Sequence, residues 1–311
     1  MKKKLFGSLL CLSLGLRALS AHAADPAECQ LVRFGDVGWS DAAVTNGVAT
    51  NLLEGMGYKT KLTMVTLSVA YLSLENHQLD VFLSDWEPSG ASYADPYLKR
   101  GKIERLGVSL TGARYSLGVP DYVAKEGLKN FSDLAAWASK LHNTIYGIES
   151  GNDGNKIILD MIKNNDFNLG TFRLNESSEQ GMLSQVARAV SSQKPIVFLA
   201  WEPHPMNMRF HLTYLVGGEK QFGATAEVMT DVAAGYAAKC PNVAHLLKQL
   251  TFTIEAENEM MTTIAEKHGK PAQVTKEWMK AHPAVVEKWL DGVTTVDGAP
   301  ALPAVKAYLA Q

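Results

Sequence analysis

The chain has 311 residues, enough for two domains of ordinary size, and its 46% apolar and 20% charged content is that of a globular protein. Its 30 basic and 32 acidic residues give a formal charge of −2. That balance argues against nucleic acid as a partner, which calls for clustered Lys and Arg.

Residues 1–23 read as a secretory signal peptide. Lys2, Lys3 and Lys4 form a basic start, 5–16 an apolar stretch, and Ala21-His22-Ala23 a small-x-small cleavage site. The apolar stretch is too short to span a membrane and ends at Arg17, and Cys11 within it lacks a lipoprotein context. A soluble, exported (periplasmic) protein cleaved near Ala23 is expected. Without that segment the chain carries 26 basic against 32 acidic groups, net −6, compatible with a cationic small ligand. Two cysteines remain, Cys29 and Cys240. In an oxidising compartment such a pair reads as one disulfide, worth about 4–5 kcal/mol by loop closure; the alternative is two unpaired buried thiols. No C-x-x-C supports redox catalysis.

Residues 31–37 read as a first strand, followed by Gly38-Trp39-Ser40-Asp41 and a helix from Ala42 to Met56, ended by Gly57. A strand at 58–65, a helix at 69–76 and a buried strand at 79–83 complete a β-α-β-α-β series, hence a parallel sheet flanked by helices. Pro88 closes the corner Asp85-Trp86-Glu87-Pro88, because proline has no N–H for a ladder. A loop-rich stretch to Gly112 is expected next. The second series has strands at 114–120, 144–148, 172–175 and 196–200. Helices are expected from Ser132, at 156–164 and at 179–190, the last with Met182, Leu183, Val186 and Val190 on one side. It ends at a second corner, Trp201-Glu202-Pro203-His204-Pro205. From Phe222 the chain returns to the first unit, with helices at 242–250, 254–268, 272–281 and 285–290.

The expected architecture is α/β with two lobes, each a β-sheet flanked by helices, and a ligand cleft between them. Lobe 1 takes 24–111 and 223–311, lobe 2 takes 112–222, and the chain crosses near Thr111 and near 218–223. Loops at the carboxyl ends of the strands would converge on the cleft. They bring Trp39 and Trp86 from one side and Tyr115 and Trp201 from the other. Four aromatic rings make a cage for a cation without N–H donors, such as a quaternary ammonium. At roughly 0.5–2 kcal/mol per ring the cage supplies about 2–8 kcal/mol, against about 8 for micromolar binding. Against this, a tryptophan at a strand end is often a core or lid residue, and Trp137, Trp278 and Trp289 are assigned to helices and the core. Asp41 either faces the cavity or caps the following helix. Gly151-Asn152-Asp153-Gly154-Asn155 opens a helix but has no P-loop or dinucleotide spacing. There Asn152 is expected to reach the cleft, with Asp153 or Asn155 as the cap.

No metal-ligand spacing, cofactor motif or G-x-S-x-G is present in the sequence. The best candidate for catalysis is His204 near Glu202, and no catalytic residue is assigned.

Several segments together resemble the choline-binding proteins of bacterial ABC importers, relatives of glycine-betaine binders. They are Gly38-Trp39-x-Asp41, Asp85-Trp86-x-Pro88, Ala113-Arg114-Tyr115, Gly151 to Asn155, Ser177 to Met182 and Trp201 to Met206. The similarity runs over nearly the whole mature chain. It implies a type II two-lobed fold that closes over its ligand, an aromatic box of Trp39, Trp86, Tyr115 and Trp201, and Asp41 and Asn152 on the choline hydroxyl. It also implies a disulfide at Cys29 and Cys240, an inner-membrane ABC permease as partner, and a monomer. Carnitine, glycine betaine or trimethylamine N-oxide are the alternative ligands; a receptor-docking sensor or a choline-ester hydrolase is an alternative role. One departure matters. Where the choline binders read Asn-Trp followed by an apolar residue, Asp85 and Glu87 flank Trp86. Facing the cavity, these carboxylates would repel a ligand carboxylate; facing solvent, or paired with Arg114, they leave the ligand open.

Overall fold

The computed structural model describes residues 25–311, so the expected signal peptide lies outside the described residues. Nine strands run in the order β2-β1-β3-β9-β4-β7-β5-β6, with β8 also on β4. They are β1 Leu31–Asp36, β2 Lys59–Met64, β3 Val81–Glu87, β4 Ile103–Pro120, β5 Thr144–Tyr146, β6 Arg173–Asn175, β7 Phe198–Glu202, β8 Leu212–Tyr214 and β9 Ala226–Ala233. In the first lobe β2, β1 and β3 are parallel and β9 lies antiparallel between β3 and β4. In the second, β6, β5 and β7 are parallel and β4 and β8 are antiparallel to their neighbours. The central strands β3 and β7 are buried on both faces, and their apolar stretches 81–83 and 198–201 reflect this, while the edge strands β2 and β6 are largely exposed.

β4 joins the lobes. Its first part pairs with β9 as far as Ala113, and from Arg114 it pairs with β7. Three register shifts against β9 bend it on the way. The loop expected between Pro88 and Gly112 is therefore overturned: helix Ala91–Lys99 and most of β4 occupy it. Lys102, Glu104 and Arg105 broke the apolar alternation, and the partner β9 lies more than 100 residues further on, so no local pattern announced either strand.

Helix Ser40–Gly55 is buried along most of its length. The C-terminal helices Ile254–Lys267, Pro271–Ala281 and Ala301–Leu309 cover it. Gly47 permits the close approach, since a Cβ there would lie 2.9 Å from Thr275 Oγ1. Asn51 Nδ2 then donates to Ala272 O at 2.8 Å and to Thr275 Oγ1 at 3.1 Å. Trp137, Trp278 and Trp289 are all core residues. No helix among the described residues is long and apolar enough to cross a membrane.

Cys29 and Cys240 form a disulfide, with Cα atoms 5.7 Å apart and a sequence separation of 211. It ties the start of the first sheet to the C-terminal helices. Replacing both cysteines by serine is expected to cost about 2–5 kcal/mol of unfolding free energy. Denaturant titration of the oxidised protein and the double variant checks this; equal midpoints would contradict it.

Candidate ligand-binding site

The site lies where the carboxyl ends of β1, β3 and β7 meet β4. Trp39 sits at the head of helix Ser40–Gly55, after the turn at Gly38 (φ +82°). Trp86 ends β3, and the following Glu87–Pro88 bond, like Glu202–Pro203 after Trp201, is cis. Tyr115 and Trp201 are register partners on β4 and β7. The Tyr115 ring is 5.7 Å from Trp86 and 6.3 Å from Trp201, centroid to centroid. The four rings are at most 8% exposed. With Asp41, Ile148 and Asp153 they enclose a cavity of about 10 Å³, roughly the room one water needs. Beyond Trp39 a wider cleft of about 1120 Å³ opens between the lobes.

The walls have little left to donate. Trp39 Nε1 donates to Glu149 Oε1 at 2.7 Å and Trp86 Nε1 to Asp41 Oδ2 at 3.0 Å. The Tyr115 hydroxyl donates to Asp153 Oδ1 at 3.2 Å. Each of the two lining carboxylates keeps one buried oxygen with no partner, Asp41 Oδ1 and Asp153 Oδ2. Burial, and then the Glu179 charge, push the Asp41 carboxyl up to about 6, against the Trp86 hydrogen bond. Burial likewise raises Asp153. No basic side chain lines this cavity.

The structure brings Trp39, Asp41, Trp86, Tyr115 and Trp201 together, and leaves Asn152 beside the cavity instead of in its wall. The cap of helix Asp153–Lys163 is Asn152, whose Oδ1 accepts from Asn155 N–H at 2.9 Å; Asp153 turns inward. The cap expected at Asp153 or Asn155 is thus corrected by one to three positions. Asn155 pins the loop instead, through Ile148 and Glu149. Asp41 is not a cap either: it stands in the first turn, behind Trp39.

Asp85 and Glu87 are off the cavity. Side chains alternate along a strand, so the neighbours of an inward Trp86 point away. Both bind Arg105, Glu87 at 3.0 Å, and Asp231 joins them at 3.0 Å. Burial, and then Asp231, hold the Asp85 carboxyl well above the usual range. The partner expected for them, Arg114, instead lies over the Tyr214 ring at 4.4 Å. His204 bonds Glu179 at 3.2 Å rather than Glu202. Ser40 donates to the same carboxylate and not to the histidine, so His204 is not placed to activate that hydroxyl. Asp153, Glu149 and Glu179 were not read as site residues. Nothing local in the sequence tells which carboxylate ends at the cleft.

Residues 30–281 match the family model described as the substrate-binding domain of the ABC-type glycine betaine transport system. The chain belongs to this family. The fold is similar to an ABC-transporter choline-binding protein in complex with choline, with a TM-score of 0.90, 46% identity, and 92% of this chain and 100% of that one covered. Against an ABC-transporter choline-binding protein in an unliganded semi-closed conformation the TM-score is 0.84, at 46% identity over 91% of this chain and all of that one. The glycine betaine/carnitine transport binding protein GbuC of Listeria monocytogenes is 30% identical over 159 residues, 51% of this chain and 53% of that protein. The family and these relatives bind substrates and are not enzymes.

Because Asp41 accepts from an indole of the box, its titration should be visible in tryptophan emission. A step with midpoint near 6 is expected, absent in Asp41→Asn. A flat profile between about pH 5 and 7.5 would contradict a buried Asp41 with a raised pKa.

Proposed function

We propose that this protein captures choline outside the cytoplasm and delivers it to an inner-membrane ABC permease. The observation that carries the reading is a cavity walled by four aromatic rings and two buried carboxylates, each with an oxygen free, and by no cation. A quaternary ammonium cannot donate hydrogen bonds and is weakly hydrated, so ring faces and a nearby anion are its natural partners. A hydroxyl on the same ligand can donate to Asp41 Oδ1 or Asp153 Oδ2. Trp39, Trp86, Tyr115 and Trp201 form the cage in this reading, and Asp41 and Asp153 hold the hydroxyl side. Asn152 acts through Asp153, to which its amide donates at 2.9 Å.

Glycine betaine and carnitine carry a carboxylate that would enter beside Asp41 and Asp153. They are the weaker candidates, although the family and the Listeria relative are described by them. The bound choline of a solved relative with 46% identity supports the choice.

A cavity of about 10 Å³ is smaller than choline, so the rings must part to admit it. We assign that motion to two lobes, 24–111 with 223–311 and 112–222, moving about β4 and the return near Gly223. Residues 1–23 would direct export and be removed near Ala23.

Calorimetry on the mature protein is expected to give choline affinity in the micromolar range or tighter. Trp201→Ala should weaken it by about 2 kcal/mol or more, the cost of one desolvated cage wall. Unchanged affinity in that variant would remove Trp201 from the site, and tight betaine with weak choline would reverse the ligand assignment.

A further inference from the structure

Helix Ser40–Gly55 carries Asp41, yet its own N-cap, Trp39, provides no side-chain hydrogen bond to the first turn. Exposed N–H groups at a helix start need an acceptor. Here the acceptor comes from the other lobe. Glu179 opens helix Glu179–Ser191, 139 residues further along the chain, and its side chain is 3% exposed. Its Oε2 accepts from Ser40 N–H at 3.0 Å, and its Oε1 accepts from the Ser40 hydroxyl.

We infer that Glu179 is a positioning residue that latches the lobes, capping from across the cleft the helix on which Asp41 is mounted. The inference rests on the proposed closure over a quaternary ammonium, and deepens it.

Three observations support the latch. The carboxylate stays charged: burial raises it, but the hydrogen bonds from His204 and Ser40 outweigh this and hold it below the usual range. A negative charge at a helix N-terminus is stabilised by the helix dipole. Next, His204 orients it. His204 Nδ1 accepts from Met206 N–H at 3.0 Å, so the proton sits on Nε2 and is donated to Glu179. The same imidazole lies 5.0 Å from the Trp201 ring, which links the latch to a cage wall. Finally, the helix start it grips lies between two cavity residues, Trp39 and Asp41, so docking Glu179 fixes both.

With the lobes apart, Ser40 would turn to water while Glu179 kept His204, a partner in its own lobe. Closure therefore gains charge-assisted bonds that the open form lacks. The latch also brings the Glu179 charge close enough to raise the proton affinity of Asp41. A cation beside Asp41 relieves that repulsion. The closed form is thus favoured most when the cage is filled.

The test is stopped-flow binding kinetics with choline, and in parallel with glycine betaine, on wild type, Glu179→Ala, Ser40→Pro and the double variant. Proline is tolerated at a first helical position and removes both Ser40 donors without leaving a charge unpaired in the helix. Each single variant is expected to release ligand about tenfold faster or more, with association changed less than about threefold. The double variant should lose no more than either single one, since both break the same contact. A ligand-free melting temperature equal to wild type separates a latch from a loss of folding. Release within about twofold of wild type in both single variants, or additive losses in the double, would overturn the latch. Wild type binding glycine betaine but not choline would sink the choline reading while still testing the latch. Binding of neither would overturn both.

Discussion

A buried carboxylate held by an indole is the contact on which the site depends. Asp41 accepts from Trp86 through one oxygen, leaves the other unpartnered, and lines a cavity walled by aromatic rings. Removing such a group from water is costly, and the upward shift of its pKa records that cost. In the proposed function a cation in the same space offsets that cost. The rings alone provide area and a quadrupole. In the proposed function the charge beside them is what makes an apolar hole select for ligand charge.

The rest of the fold serves to keep that carboxylate and its rings in place. The helix bearing Asp41 is fixed from behind by the C-terminal helices, through Asn51 and the Gly47 contact. Trp86 is fixed by its strand, whose flanking carboxylates are gathered with Asp231 on Arg105, away from the cavity. Tyr115 and Trp201 are neighbours on one ladder. β4 carries Tyr115 and belongs to both sheets, so any relative motion of the lobes is transmitted along a strand that is itself part of the site.

Much of this was legible in the sequence where the signal was local. An apolar run ending in Trp-Glu-Pro must turn, and two such corners located Trp86 and Trp201 at strand ends. The tail helices expected at 242–250, 254–268, 272–281 and 285–290 are present, whereas Ala301–Leu309 was not anticipated. What failed was decided by partners distant in sequence. The first half of β4 is a strand because it has β9, and β9 because it lies between β3 and β4; neither has a strong pattern alone. The exchange of roles between Asn152 and Asp153 turns on where one helix begins, a difference of a single residue that composition does not encode. Arg105, not Arg114, holds Asp85 because both lie on one strand at positions whose facing is set by the bulges against β9. Glu179 read as the start of an amphipathic helix, which it is; that its carboxylate crosses the cleft is visible only in the assembled fold.

Under the proposed function the cavity selects positive charge and not merely the shape of a trimethyl group. Comparing choline with 3,3-dimethylbutan-1-ol, in which carbon replaces the quaternary nitrogen, isolates that one property. By calorimetry at pH 7.5, the neutral analogue is expected to bind at least about 100-fold more weakly, since it forfeits both the ring and the carboxylate attraction. Equal affinity for the two would mean that the cage binds by apolar contact alone, and that Asp41 is buried there for another reason.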